Sequence, residues 1–441
     1  SAHVRVAVHA RILDPESGGT LAAIGSDRVM RPASNMKLVT TAAALVLLGA
    51  DWSFTTDFEA EGSIEDDALR GDLVVRAAGD PLQDPDGEGR AEERLGRFAR
   101  DLRARGIAEV TGDLVLDEGS FAVPAPAPGW PAASQLWTDY CALAGGFSVN
   151  GGVLHARAIP AAGKRFRVEV HPSPHGLKER YDVRAGKQLD VAVGATATTC
   201  TVRGQIPASK KDWAADFSHP DPVRLFGEVL FAQLEAAGVK VRGDIVRKRN
   251  VPGGEVLATL RSPLFATLVP INTHSINGVA DQVFLALGDA VAGEGTRAGG
   301  QSAVVRALLR LGVPTAGFVQ IDGSGLSREN RVSAHQIAAL LEAVSGLDEA
   351  TRDAFLGSLA VAGRTGTLAD RMRETPSEGR VFAKTGWIAG TSALSGFART
   401  ADGRTVVFSI LVEYPAAIGS LNNAVFKPMQ DELVGFLVTD V

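Results

Sequence analysis

The sequence PASNMKLVTTAAALVLL, residues 32–48, predicts a buried α-helix, because it is rich in alanine and leucine and is followed by the helix-ending residue Gly49. Its start contains Ser34-Asn-Met-Lys37, the only S-x-x-K pattern in the chain. Residues three apart on a helix share a face. The amine of Lys37 can therefore lie beside the hydroxyl of Ser34.

Ser34 and Lys37 are candidates for a nucleophile and its general base. A serine hydroxyl is a weak nucleophile and needs a neighbour that takes its proton. A lysine can do so where burial or nearby positive charge lowers its pKa towards neutrality, and the apolar helix would supply the burial. The helix start also favours negative charge at Ser34. Taken alone, the pattern has a structural alternative, because serine is a common first residue of a helix.

A second candidate group is Lys384-Thr385-Gly386, which follows the strand-like run at 380–383 and precedes another strand. On an edge strand, a lysine and a threonine offer a cation and a hydroxyl to a substrate carboxylate. The glycine lets a peptide backbone approach closely. The structural alternative is a turn at a strand end with an exposed lysine.

Ser275-Ile-Asn277 stands where a predicted helix begins. Its hydroxyl could relay a proton, and its amide could hold a substrate carbonyl or Lys37. The structural alternative is a serine that caps the helix. The same S-x-N pattern recurs at Ser148–Asn150 and Ser420–Asn422, so it carries weight only in combination with the other motifs.

The three motifs occur in the order S-x-x-K, S-x-N, K-T-G, which is the signature of penicillin-binding proteins and serine β-lactamases. The whole chain resembles the low-molecular-mass class C penicillin-binding proteins, the D-alanyl-D-alanine carboxypeptidase/endopeptidases of peptidase family S13. Besides residues 32–45, the resemblance is carried by GDP at 79–81, DGSGLSR at 322–328, AGRTGTL at 362–368, AKTGWI at 383–388, SGF at 395–397 and FSILV at 408–412.

The resemblance implies an α/β (α+β) penicillin-binding, β-lactamase-like domain, with an antiparallel sheet flanked by helices. It also implies β-rich domains, one nested in the other, inserted between S-x-x-K and S-x-N. The pattern along the chain agrees, because short strand-like runs fill the middle while helices resume near Ser262. We expect a catalytic domain of 1–53 plus 251–441 and an insert at 54–250. A turn at 14–19 should separate the first two strands.

The resemblance also implies a reaction. Ser34 would attack the carbonyl between two D-alanines, Lys37 would take the proton, and water would later hydrolyse the acyl-enzyme. Ser275 and Lys384 would pass the proton to the leaving amine, with Asn277 beside them. The oxyanion would be held by the backbone N–H groups of Ser34 and Trp387. The remaining predicted contacts are Thr385 with Lys384 on the terminal carboxylate, Gly386 beside the substrate backbone, and Leu326 and Arg328 lining the cleft.

Two positions depart from the family pattern. Trp387 replaces the smaller residue that usually follows K-T-G, and its ring could narrow the site or offer a stacking surface. Relatives carry an acidic residue near 130–150 that contacts the free amine of the stem-peptide side chain. Asp139, next to Tyr140, is the candidate here.

Composition excludes several other classes. The net charge is −6, which argues against non-specific nucleic-acid binding. The scattered histidines and two cysteines predict no metal and no cofactor. Cys141 and Cys200 could form one bridge or remain buried thiols.

No apolar run approaches the roughly 18 residues of a membrane span. We expect an exported protein of the periplasm or cell-wall space, whose leader is absent from this sequence.

The expected partners are peptidoglycan stem peptides, with β-lactams as covalent inhibitors. The first rival function is a serine β-lactamase, which would need an extra base for the hydrolytic water. The second is a non-catalytic binder of wall peptide or β-lactam, and a third is a structural wall protein without a concave site. The sequence does not separate carboxypeptidase from endopeptidase action.

Overall fold

The computed structural model describes residues 3–14, 18–82, 91–163, 165–173 and 176–441. Of the predicted turn at 14–19, residues 15–17 lie outside this description. The chain folds into two compact units. Unit 1 comprises Ser1–Trp52, Ala127–Trp130 and Leu264–Val441, and unit 2 comprises Ser53–Pro126 and Pro131–Pro263.

The strands of the described residues are β1 (Arg5–Ile12), β2 (Thr20–Ile24), β3 (Ser53–Glu65), β4 (Ala68–Arg76), β5 (Glu109–Val110), β6 (Leu114–Asp117), β7 (Val153–Ala161), β8 (Arg165–His171), β9 (Lys178–Gly186), β10 (Asp190–Thr196), β11 (Thr199–Pro207), β12 (Trp213–Ser218), β13 (Lys240–Val241), β14 (Ile245–Lys248), β15 (Glu255–Pro263), β16 (Ala360–Val361), β17 (Val381–Ile388), β18 (Thr391–Arg399) and β19 (Thr405–Glu413). The α-helices are α1 (Met36–Leu48), α2 (Ala91–Ala104), α3 (Pro222–Ala236), α4 (Phe265–Asn272), α5 (Asn277–Ala292), α6 (Arg297–Arg310), α7 (Ala334–Ser345), α8 (Glu349–Gly357) and α9 (Lys427–Thr439).

Unit 1 contains an antiparallel sheet of order β16-β17-β18-β19-β1-β2. Strand β18 is buried along nearly its whole length, as expected for a strand covered on both faces. Side chains from α9, including Val434 and Val438, join the sheet residues in one apolar core. Helix α1 is buried from Met36 to Leu45, and its apolar composition suits this central position. The predicted fold class, an antiparallel sheet flanked by helices, is confirmed.

Unit 2 contains two further sheets. One has the order β13-β5-β4-β3-β15 with β6 and β14 attached, and the other has the order β10-β11-β9-β8-β7-β12. Strand β15 pairs with β3 in this unit, although it follows residue 250, where we expected the insert to end. The nested domain division stays a prediction.

Unit 2 also holds two helices that the sequence analysis missed, α2 and α3. Their signals are visible in retrospect. Leu95, Phe98, Ala99 and Leu102 give α2 a buried face at helical spacing. Asp221 caps α3 by accepting from the Arg224 N–H, and Pro222 follows in the first turn. Cys141 and Cys200, both in unit 2, are buried thiols and do not form a disulfide.

Candidate active site

Ser34 lies in a single 3-10 turn, Ala33–Asn35, that leads directly into α1. Ala33 has a left-handed backbone with φ of 48°, a conformation that is uncommon outside glycine. The regular helix therefore begins just after Ser34, slightly later than the sequence predicted. Lys37 is the second residue of α1, and none of its surface is exposed.

The amine of Lys37 has three neighbours. Its Nζ lies 3.1 Å from Ser34 Oγ, 2.6 Å from Asn277 Oδ1 and 2.7 Å from the Ser324 carbonyl oxygen. The last two oxygens can only accept hydrogen bonds. A neutral amine would donate its two N–H groups to them and keep its lone pair for the Ser34 hydroxyl.

The two buried lysines of the site have lowered pKa values. Burial lowers the pKa of Lys37 to about 8, although the negative charges of Asp281 and Asp322 raise it. Burial, followed by the positive charge of Lys37, lowers the pKa of Lys384 well below its usual value. The Lys37 amine can therefore lose its proton near neutral pH, as a general base must, and burial favours the neutral form of Lys384.

The S-x-N motif is divided between a loop and a helix. Ser275 lies in the loop between α4 and α5 with φ of 64°, whereas Asn277 is the first residue of α5. The prediction that the motif starts a helix is therefore correct for Asn277 and wrong for Ser275, which lies in the loop two residues earlier. Sparsely populated backbone conformations of this kind cost about 1–3 kcal/mol and cluster at functional sites.

The K-T-G motif lies inside β17 rather than at a strand end, because hydrogen-bonded pairing with β18 continues to Ile388. Strand β16 pairs with Phe382 and Ala383, just before the motif. A Cβ atom on Gly386 would lie 2.9 Å from the Pro32 carbonyl oxygen and 3.2 Å from the Ser34 nitrogen. The glycine therefore allows β17 to approach the nucleophile turn.

Thr367 connects the K-T-G strand to the S-x-N loop. Its Oγ1 lies 2.8 Å from Thr385 Oγ1, and its backbone N–H donates to the Thr273 carbonyl, two residues before Ser275. The sequence analysis singled out the block containing Thr367 only for its resemblance, because nothing local indicates that its hydroxyl reaches Thr385.

The DGSGLSR block forms a tight loop around Asp322. This carboxylate accepts from the backbone N–H groups of Gly325 and Ser327 and from the side chains of Asn330 and Trp130. The loop presents the Ser324 carbonyl to Lys37. The two predicted cleft residues of this loop differ in exposure. Leu326 is only 8% exposed, whereas the Arg328 side chain faces solvent.

Trp387 follows K-T-G with 58% of its surface exposed, and its indole N–H donates to the Tyr414 hydroxyl at 3.2 Å. The indole is therefore fixed by one hydrogen bond, while more than half of its surface faces solvent. Asp139 belongs to unit 2, in the 3-10 turn Asp139–Cys141. Burial raises its pKa, with a further contribution from Asp216.

Within the described residues, no group of His, Cys, Asp and Glu side chains is arranged to hold a metal ion. Over the same residues, no helix has the length and apolar character needed to cross a bilayer.

The fold and the order of the motifs define the class of penicillin-binding serine hydrolases. The chain belongs to the D-Ala-D-Ala carboxypeptidase 3 (S13) family, whose model matches residues 3–439. It is 35% identical over 426 residues to the D-alanyl-D-alanine carboxypeptidase of Actinomadura sp. (strain R39), covering 91% of this chain and 76% of that protein. It is 26% identical to the D-alanyl-D-alanine carboxypeptidase DacB of Haemophilus influenzae, covering 86% and 79%.

Solved structures agree in fold. Penicillin binding protein 4 of Haemophilus influenzae superposes with a TM-score of 0.78 at 24% identity, covering 93% of this chain and 90% of that one. A penicillin G-acylated predatory endopeptidase of Bdellovibrio bacteriovorus gives 0.55 at 16% identity, covering 99% and 93%. The predicted family and the predicted enzyme class, a serine D-Ala-D-Ala carboxypeptidase, are confirmed.

Proposed function

We propose that Ser34 attacks the carbonyl carbon of the D-Ala-D-Ala peptide bond and that Lys37 takes its proton. The observation that carries this proposal is the 3.1 Å contact between Lys37 Nζ and Ser34 Oγ. The other two contacts of the amine are the acceptor oxygens Asn277 Oδ1 and the Ser324 carbonyl. A new ester bond forms on Ser34, and the terminal D-alanine leaves as an amine. Water then hydrolyses the ester and restores the serine.

Lys384 and Ser275 return the proton to the leaving nitrogen. The lowered pKa of Lys384 makes this lysine able to release a proton. Lys384 and Thr385 also bind the terminal carboxylate of the substrate. Because an opposite charge favours a protonated amine, carboxylate binding raises the pKa of Lys384 and charges it when substrate is present.

The backbone N–H groups of Ser34 and Trp387 hold the oxyanion. Gly386 supports this role, because its missing side chain leaves space next to the Ser34 nitrogen. Removing one donor from such a site typically costs about 10²–10³ in rate. The exposed Trp387 ring offers a stacking surface beside the donor.

The substrates are the stem peptides of peptidoglycan, which places the working protein outside the cytoplasm, in the periplasm or cell-wall space. Leu326 and Arg328 line the cleft. Asp139 binds the free amine of the stem-peptide side chain, since an ionised carboxylate attracts an ammonium group.

Labelled penicillin tests the proposal. Mass spectrometry should locate the label on Ser34, and Ser34→Ala should abolish labelling. Ser275→Ala should slow acylation by about 10²-fold or more, whereas Ser420→Ala, at the exposed serine of the other S-x-N pattern, should not. Label on another residue, or no label, would contradict the assignment and favour a non-catalytic binder.

Two further measurements separate the remaining alternatives. An acyl-enzyme that lasts for hours supports a peptidase, and one that decays in milliseconds indicates a β-lactamase. Products from a pentapeptide muropeptide and from a cross-linked dimer distinguish carboxypeptidase from endopeptidase action.

A further inference from the structure

The buried carboxyl of Asp281 is connected to the catalytic lysine through the backbone of Ser324, and the reaction above does not use it. Asn277 and Asp281 are four residues apart on α5, so they share a face of the helix. Asn277 Oδ1 contacts Lys37 Nζ at 2.6 Å. Asp281 Oδ1 accepts from the Ser324 N–H at 2.8 Å, and the Ser324 carbonyl accepts from Lys37 at 2.7 Å. Helix α5 therefore holds Lys37 both directly and through Ser324.

The Ser324 carbonyl is fixed from two sides. Asp281 accepts a hydrogen bond from the N–H of Ser324 itself. Asp322 Oδ1 accepts one at 2.8 Å from the N–H of Gly325, and this N–H lies in the same peptide plane as the Ser324 carbonyl. Gly325 has φ of 85°, and a Cβ atom there would lie 1.9 Å from the Ala33 carbonyl oxygen. The loop thus fits closely against the nucleophile turn.

The second oxygen of Asp281 is unusual. Asp281 is buried, and among the described residues its Oδ2 has no hydrogen-bond partner. A buried unsatisfied carboxylate oxygen is costly and calls for an explanation. The charged groups that act on Asp281 are Asp322, in the loop after α6, and Lys37 on α1. Lys37 is therefore the cation that can compensate this charge.

We propose that Asp281 is a positioning residue for the general base, which aims the Ser324 carbonyl at Lys37 and stabilises the ammonium that Lys37 becomes. In that step the O–H bond of Ser34 breaks, an N–H bond forms on Lys37, and Asp281 remains an anion. This resembles the third group that orients the base in other nucleophile–base pairs. The inference rests on the proposed function, because it requires Lys37 to be the base.

Burial and the negative charge of Asp322 raise the pKa of Asp281, and burial lowers the pKa of Lys37. The two groups act on each other in the opposite sense: the Lys37 charge favours the Asp281 anion, and the Asp281 charge favours the Lys37 ammonium. Removing the Asp281 charge should therefore lower the pKa of Lys37. The amine would then become neutral at a lower pH, but its protonated form would be less stable during acylation.

Asp281→Asn tests this inference, because the amide keeps an acceptor for the Ser324 N–H and loses the charge. The rate of Ser34 acylation by penicillin is measured against pH. We expect the acid limb to move to lower pH by about one unit and the plateau to fall about 10–100-fold. Asp289→Asn, the same change further along α5, should leave both unchanged. An unshifted limb, or a wild-type plateau, would overturn the inference.

If Asp281→Asn does not fold, Asp281→Glu provides the test. Its charge remains, so the acid limb should stay in place, but the longer side chain should displace Ser324 and lower the plateau. A wild-type plateau would overturn the inference. The proposed function fails separately, if penicillin does not acylate Ser34 in the wild-type protein.

Discussion

The side-chain amide of Asn35 donates to the carbonyl oxygen of Lys384 at 2.7 Å. The same side chain accepts from Ser395 Oγ at 2.7 Å, and Ser395 Oγ lies 2.9 Å from Ser409 Oγ. All of these groups are buried. One residue between the nucleophile and the base therefore attaches their turn to β17, β18 and, through Ser395, β19.

Asn35→Ala should loosen this attachment. The change removes the Asn35 donor from the Lys384 carbonyl and leaves the Ser395 hydroxyl with Ser409 alone, and a buried group left unsatisfied costs about 1–3 kcal/mol. We expect a lower midpoint of urea unfolding and at least a 10-fold slower acylation of Ser34, because small displacements of reacting groups are expensive. Asn423→Ala, at an exposed asparagine, is the control. Wild-type stability and acylation in Asn35→Ala would show that the attachment is dispensable.

The part of the site that was predictable is local. Ser34 and Lys37 are three residues apart, and the 3-10 turn that leads into α1 brings them together. The order of the motifs and the resemblance supplied Asn277 and K-T-G. Element type was also readable where the period was clear, as in α7, whose capping box of Ser333 and Gln336 marks its start.

The unpredicted part depends on long-range contacts with groups that carry no sequence signal. The Ser324 carbonyl is a backbone group 287 residues from Lys37, and every residue has such a carbonyl. Asp281 and Thr367 act through tertiary proximity to Ser324 and Thr385. Likewise, K-T-G resembled a strand end, because glycine interrupts strand patterns, yet the close approach to Ser34 explains Gly386 within β17.

We predict that the buried lysine Lys384 lowers the free energy of unfolding, although the reaction requires it. Its folded pKa lies below its usual value of 10.5 because it is buried. At a pH between the folded and the unfolded pKa, Lys384 is protonated in the unfolded chain and neutral in the folded one. The free energy of unfolding of the wild type should therefore rise with pH in that window. Lys384→Met should be more stable than wild type at pH 7, by about 1–4 kcal/mol, and should lose penicillin acylation.

The measurement for Lys384→Met is guanidinium unfolding at several pH values. The stability difference from wild type should shrink as the pH approaches the usual lysine value, where Lys384 is neutral in both states. Lys211→Met, at an exposed lysine, should show neither effect. A Lys384→Met variant less stable than wild type at pH 7 would mean that its contacts outweigh the cost of burial.

Gly386→Ala should inactivate the enzyme, because the added methyl group forces a local shift between β17 and the nucleophile turn. The added methyl group would lie 3.2 Å from the Ser34 nitrogen and 2.9 Å from the Pro32 carbonyl oxygen, in the space assigned to the oxyanion. We expect acylation by penicillin to fall about 10²–10³-fold, the effect of losing one oxyanion donor. Gly194→Ala, at a glycine of β10 where nothing lies within 4 Å of the added atom, is the control for the substitution itself. Normal acylation in Gly386→Ala would contradict the proposed oxyanion site.

Thr367→Val should weaken binding of substrates that end in a free carboxylate. The Thr385 hydroxyl donates to Thr367 Oγ1 at 2.8 Å, which holds the Thr385 side chain in the position proposed for carboxylate binding. Valine keeps the shape and removes the hydroxyl, so KM for a D-Ala-D-Ala peptide should rise about 5–10-fold, as for the loss of one hydrogen bond. The same peptide with a terminal amide should show no such change, and Thr367→Ser should restore the wild-type KM. Equal losses on both peptides would mean that Thr367 only supports the loop.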